Sequence, residues 1–243
     1  TAPERAVLLA YAKMQVYEEL LASDIPDEPT LAAALERYFP KPLRERFARH
    51  IQAHPLRREI IATHVTNSMV NRVGSTFVHR MREETGASTA EVVRAYMVTR
   101  EAYGMVAFWQ QVEALEPKVP DPVQSAMLLD AGRLIVRATL WLLRNRKHLA
   151  EVAAAIAHFR PGVEALEALL PDALAASARQ AYDEAKARYG EAGVPDALAA
   201  RVAALDTLPA ALDLVEVGEA LGRDVGSVAR AYFELGGKLD FPW

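Results

Sequence analysis

LRREIIATHVTNSMVNRVGSTFVHRMREETGAS, residues 56–88, decides the fold class. Ile61, Val65, Met69 and Val73 recur every fourth residue, the spacing that stacks side chains on one face of an α-helix, while His64, Asn67 and Asn71 fall on another face. The pattern predicts a helix from Leu56 to about Val73. Gly74 interrupts it, and a second segment, Ser75 to Thr85, runs into Gly86, a residue suited to stop a helix. Ser88-Thr89-Ala90-Glu91 then has capping-box spacing, in which hydroxyl and carboxylate satisfy the unpaired amides at a helix start. The helix it opens is expected to reach about Leu115 on a stripe of Val92, Tyr96, Tyr103 and Val106.

Working outward, the same period holds in both directions, and no stretch sustains the two-residue alternation of a strand. Towards the N-terminus, Pro3 suits the first turn of a helix running to about Ser23, with Val7, Ala10, Met14, Tyr17 and Leu21 stepping by three and four. Pro26 and Pro29 end it. A short helix follows to Phe39, and another runs from Pro42 to Pro55. Towards the C-terminus, Pro117, Pro120 and Pro122 read as a rigid linker, after which Met127, Ala131, Leu134, Ala138 and Leu142 line a helix reaching Lys147. Breaks are expected at Pro161-Gly162, Pro171, Gly190 to Pro195, Pro209 and Gly222. Gly86 to Tyr96 is echoed by Gly222 to Tyr232, each with a capping-type residue, Ser88 or Asp224, so both read as helical hairpins. Neither second helix opens with the base-contacting side chains that a DNA reader needs.

The fold class is therefore all-α, a multi-helix bundle or an array of antiparallel hairpins, with helix above about 70% against roughly a third in ordinary domains. Residues 1–119 are expected to form an N-terminal helical subdomain and residues 120–243 a C-terminal one, packed as one continuous unit.

Composition narrows the function. The 243 residues are 51% apolar and 25% charged, which excludes disorder, and the densest apolar stretch, Ala138 to Leu143, is far short of the roughly 18 residues a membrane span needs. The absence of cysteine excludes disulfides and thiolate chemistry and leaves a cytoplasmic location as the expectation. The net charge of −4 divides into +3 over residues 1–150 and −7 over residues 151–243, so neither part resembles a nucleic-acid binder. A chain that opens on Thr1 and closes on Pro242-Trp243 is expected to be a piece of a longer polypeptide.

No catalytic constellation is legible. Glycine-rich phosphate loops, GxSxG and HExxH are all missing from the sequence. His50 and His54 are four apart and could offer two imidazoles to a metal, but Pro55 adjoins the second and no carboxylate completes the motif. His79, His148 and His158 stand alone in the sequence. No catalytic, cofactor-binding or metal-binding residue is assigned. Two features remain as ligand or interface candidates. One is the basic segment Lys41 to Arg58, with Arg44, Arg49, Arg57 and Arg58, suited to a solvated helix face, a protein contact or a phosphate-bearing ligand. The other is the polar stripe of His64, Asn67 and Asn71, for which interhelical hydrogen bonding is the ordinary use.

The opening RAVLLAYAK (5–13), YFPKPLRERF (38–47), the quoted stretch 56–88, RATLWLLRNR (137–146) and GVPDALAARVAALDTL (193–208) together resemble the C-terminal helical region of the large bacterial NAD-specific glutamate dehydrogenases. The resemblance runs from about Arg5 to Leu235. It implies a parent enzyme, with regulatory modules and a catalytic region upstream, that interconverts L-glutamate and 2-oxoglutarate plus ammonia using NAD in amino-acid catabolism. It further implies that the remaining domains of that dehydrogenase are this region's partners and that the full-length protein is a homo-oligomer; from charge and hydropathy, neither nucleic acid nor membrane is expected as a partner. The family's catalytic lysine and Rossmann-type NAD site match nothing here, so no functional residue carries over and no cofactor is expected in this chain. The expected role is a non-catalytic regulatory, oligomerisation or scaffolding region; the alternative is an independent helical binding module for a protein partner or a phosphate-bearing small ligand.

Overall fold

The computed structural model describes residues 1–145 and 149–239. His148, the Lys147 helix end, Arg146 and the closing Pro242-Trp243 therefore lie outside the described residues. Among the described residues there are thirteen α-helices and no strand, which bears out the all-α reading. No helix among them is long and apolar enough to cross a membrane.

The residues group into two compact units, Thr1–Met97 with Leu142–Ala153, and Val98–Trp141 with Ala154–Trp243. The first unit holds α1 (Ala2–Leu21), α2 (Ala32–Tyr38), α3 (Lys41–Gln52), α4 (Arg57–Val73), α5 (Phe77–Thr85) and most of α6 (Thr89–Ala102). Helix α1 packs on α4, and α2 packs on both α3 and α4. Leu20, Ile25, Leu35, Ile61, Met69, Met81 and Tyr96 fill this core at 0–1% exposure. Burial of each such side chain contributes roughly 1.5–3 kcal/mol relative to leaving it in water.

The second unit holds α7 (Met105–Glu113), most of α8 (Asp121–Arg144) and of α9 (Val152–Ala173), then α10 (Ala176–Glu191), α11 (Asp196–Ala204), α12 (Ala211–Leu221) and α13 (Val225–Lys238). Its core gathers Phe108, Val112, Met127, Ile135, Phe159, Leu166, Leu170, Leu212 and Phe233. The Pro117 to Pro122 stretch falls inside this unit. Thr99 on α6 and Thr139 on α8 are both fully buried, their hydroxyl oxygens 3.3 Å apart, so each satisfies the other.

The two echoed hairpins are built alike. Gly86 and Gly222 both turn through the left-handed region, at φ 66° and 62°. Ser88 and Glu91 form the reciprocal cap, Ser88 N donating to the Glu91 carboxylate at 2.8 Å and Glu91 N to Ser88 Oγ at 3.3 Å. Asp224 caps α13 by accepting from Ser227 N at 2.9 Å. Those bonds hold the Asp224 carboxyl below its ordinary range, the Ser227 hydroxyl first among them.

Two expectations are corrected. The long helix from Thr89 does not reach Leu115 in one piece: α6 ends at Ala102, and Gly104, at φ 57°, redirects the chain into α7. Conversely, Pro161 and Pro171 do not break the chain but lie inside α9. Each removes one backbone donor, and the helix persists because Phe159, Val163, Leu166 and Leu170 around them are at most 2% exposed. In most proteins tertiary packing, not local propensity, holds a helix.

Candidate functional site

The basic segment resolves into two parts. Arg57 and Arg58, on the first turn of α4, clasp the short 3-10 turn at Ile25–Asp27. Arg57 donates to Asp27 Oδ1 at 2.7 Å and to the Pro26 carbonyl at 3.3 Å. Arg58 pairs with the other Asp27 oxygen and donates to the carbonyls of Leu21 and Ser23 at 3.0 and 2.8 Å. Those carbonyls sit at the C-terminal end of α1, where helix oxygens lack intrahelical partners and the dipole favours a cation. The hydrogen bond from Arg57, helped by Arg58, holds the Asp27 carboxyl below the usual carboxylate range.

Arg44 and Arg49 take no part in that clasp. They lie on α3 on opposite sides of a kink at Phe47, where φ is −126° and ψ 27°. Arg49 is exposed and Arg44 half-buried. Four arginines that sequence order places together are thus divided between a structural clasp and a bent, solvent-facing helix.

The polar stripe on α4 divides too. His64 and Asn71 are exposed, whereas Asn67 is half-buried. Asn67 lines a shallow groove of about 250 Å³ with Lys13, Met14, Tyr17, Thr63 and Thr66. Thr66 is 2% exposed and its hydroxyl has no hydrogen-bond partner among the described residues. Glu19, one turn along α1 from Gln15, is engaged elsewhere: Thr89 Oγ1 and Gln15 donate to its carboxylate, and Arg82 pairs with it at 3.2 Å. Partial burial pushes the Glu19 carboxyl up, but the bonds from Thr89 and Gln15 and the charge of Arg82 outweigh it and leave it lowered.

In the second unit, a cavity of about 490 Å³ is bordered by Glu101, Arg160, Glu164, Glu167 and Arg201. Its two arginines are spent on neighbouring carboxylates and on backbone. Arg201 donates to the Tyr103 carbonyl at 2.8 Å and lies 3.3 Å from Glu167, while Arg160 donates to the Glu101 carbonyl at 2.9 Å.

A different cluster lies where α9 meets α12. His158 Nε2 stands 3.2 Å from Glu216 Oε1 and 3.9 Å from Glu219 Oε2, and one ligand atom from each of the three lies within 4.8 Å of the others. The His158 ring sits edge-on to Phe159, with centroids 4.6 Å apart. Sequence reading leaves His158 alone because its partners are 58 and 61 residues away. The available half-signal is Glu216-x-x-Glu219, which places two carboxylates on one helical face.

The chain matches, over residues 1–243, the family described as glutamate dehydrogenase, C-terminal. A protein of Halomonas elongata named NAD-specific glutamate dehydrogenase is 37% identical over 243 residues, all of this chain and 15% of that protein. One of the same name from Pseudomonas aeruginosa is likewise 37% identical over 243 residues, again 15% of its length. One from Mycobacterium tuberculosis is 35% identical over 239 residues, 98% of this chain and 15% of that protein. The chain thus spans about 15% of the length of the curated relatives it matches.

Proposed function

Because the chain belongs to the glutamate dehydrogenase C-terminal family, with all 243 residues matched, we propose that it is a non-catalytic helical domain of an enzyme that interconverts L-glutamate and 2-oxoglutarate plus ammonia with NAD. It docks on the rest of that polypeptide through the first half of α1.

The observation that carries this reading is coverage: proteins named for the activity contain this region as 15% of their length, leaving most of each polypeptide outside it. The helical architecture supports it. A Rossmann-type pyrophosphate cradle is built on a strand and the turn that follows, and no strand occurs among the described residues. Whatever binds NAD in such an enzyme is accordingly assigned to the remainder of that polypeptide.

The docking face is argued from burial. Val7, Leu8, Tyr11 and Met14 are 54%, 64%, 64% and 53% exposed. Val7, Tyr11 and Met14 are spaced by four and three, so they line one side of the helix. Val16 and Leu20, farther along α1 and on its opposite side, are buried within this unit. A contiguous apolar stripe on a soluble chain marks an interaction surface, and the occupant committed to here is the larger part of the same dehydrogenase. The test is deletion of this region from a full-length enzyme, reading turnover, assembly state and response to effectors. Loss or alteration of at least one is expected; survival of all three overturns the reading.

A further inference from the structure

The structure assigns a second property to the α9–α12 crossing: we infer that His158, Glu216 and Glu219 form a three-ligand site for a divalent first-row transition cation, with Zn²⁺ the preferred ion.

Spacing is the first argument. A cation held by imidazole nitrogen and carboxylate oxygens at about 2.0–2.2 Å in tetrahedral geometry sets neighbouring ligand atoms about 3.2–3.6 Å apart. His158 Nε2 and Glu216 Oε1 are already at 3.2 Å. Glu219 Oε2, at 3.9 Å, is a few tenths of an ångström wide, and its side chain is 68% exposed, so it is free to swing inward.

The scaffold is the second. Glu216 and Glu219 are one turn apart on α12, and His158 comes from α9. Gly162, one turn beyond His158, meets α12 so closely that a Cβ built on it would lie 2.2 Å from Val215 Cγ2. Val215 immediately precedes Glu216. Contact of the Val215 side chain with the bare Gly162 therefore fixes the helix separation beside the ligands. Trp141 on α8 steadies the same face, its indole nitrogen donating to Asp213 Oδ1 at 2.7 Å, and its ring lies edge-on to Phe159 with centroids 5.8 Å apart. Ligands on rigid, interlocked helices are preorganised in a way that ligands on loops are not.

Donor chemistry is the third. One neutral imidazole with two carboxylates balances a 2+ charge. Imidazole directs the site towards Zn²⁺, Co²⁺ or Ni²⁺ rather than the oxygen-preferring Mg²⁺ and Ca²⁺. Three protein ligands leave a fourth position, facing solvent beside Glu219, for water.

Zn²⁺ titrated into the 243-residue chain by calorimetry tests this, with Co²⁺ absorption as a probe of coordination and Mg²⁺ as comparison. One equivalent of Zn²⁺ is expected to bind, Mg²⁺ not to compete, and Co²⁺ to develop ligand-field bands that Zn²⁺ displaces. His158→Gln, Glu216→Gln and Glu219→Gln should each weaken Zn²⁺ by roughly 10–100-fold or more, the scale seen even when supporting groups around a metal are lost. Glu219→Gln alters an exposed side chain and keeps the test sound if the buried-side variants unfold. The double variant His50→Ala/His54→Ala, at and just beyond the C-terminal end of α3, should bind as the parent does. Absence of stoichiometric binding, affinity unmoved by Glu219→Gln, or binding lost only in the α3 variant overturns the assignment.

Discussion

Replacing Gly162 by alanine sets two effects against each other, and the structure decides between them. Alanine in place of glycine inside a helix ordinarily gains about 1 kcal/mol through propensity. Here the added Cβ would stand 2.2 Å from Val215 Cγ2 and 3.4 Å from Val225 Cγ2, against an ordinary carbon–carbon contact of about 3.5–4.0 Å. Relief requires a movement of more than about 1 Å. Val215 is 8% exposed, and a valine in a helix has essentially one χ1 rotamer, so the helices themselves must part. Overpacking of this kind costs about 1–3 kcal/mol, sometimes more. Net destabilisation of up to roughly 2 kcal/mol is expected. Urea unfolding followed by far-UV circular dichroism reads it as a lower midpoint at unchanged slope. Val215→Ala alone should cost roughly 1–3 kcal/mol by leaving a cavity, and the double variant should be less unstable than the sum of the two, since the smaller side chain admits the new methyl. A Gly162→Ala protein stabilised by about 1 kcal/mol, as propensity alone would give, refutes the close crossing.

Three further outcomes are expected. Arg58→Ala should cost about 1–2 kcal/mol in thermal or urea unfolding, because the bonds to the Leu21 and Ser23 carbonyls are lost, whereas the half-exposed pair with Asp27 adds little. Arg58→Lys should restore only part of that, since one ammonium does not reproduce the guanidinium fork. Thr99→Val or Thr139→Val alone should cost about 1–3 kcal/mol by leaving a buried hydroxyl unpaired, and the double variant should cost less than the two singles combined. Glu19 supplies the pH dependence. Its carboxyl is lowered in the folded state, so the unfolded chain, titrating near about 4.3, binds more protons than the native one in that range. The stabilisation is fully present above the unfolded value and is lost as pH falls through the folded one. Urea midpoints across acid pH should therefore fall more shallowly for Glu19→Gln than for the parent; parallel curves would show that Glu19 contributes nothing.

Sequence pattern carried the helical architecture because helix formation is read from neighbours three and four residues apart. The caps at Ser88-Glu91 and Asp224, and the turns at Gly86 and Gly222, are likewise local and were legible for that reason. What the pattern missed depends on distant partners. Pro161 and Pro171 signal breaks locally, yet packing around Phe159 and Leu166 carries α9 through them. The stripe from Val7 to Met14 has the period of a buried face whether this chain or another surface covers it, so periodicity could not foretell its exposure. Arg57 and Arg58 seemed part of one basic run with Arg44 and Arg49, because nothing near them in sequence identifies Asp27, 30 residues away, as their partner. His158 gained two carboxylates only through the crossing of α9 with α12. Family membership was legible across the chain, since short motifs in fixed order survive at the level of 35–37% identity.

The role proposed for this chain is docking and assembly within a glutamate dehydrogenase whose chemistry resides in the rest of the polypeptide. Complementation in trans tests it most directly, by measuring glutamate-dependent NAD reduction for the 243-residue chain, for the same enzyme lacking this region, and for the two mixed. No turnover is expected from the chain alone, impaired turnover from the shortened enzyme, and recovery on mixing that fails when Val7, Tyr11 and Met14 are replaced by serine. Turnover by the isolated chain, or full activity of the shortened enzyme without it, would contradict that role.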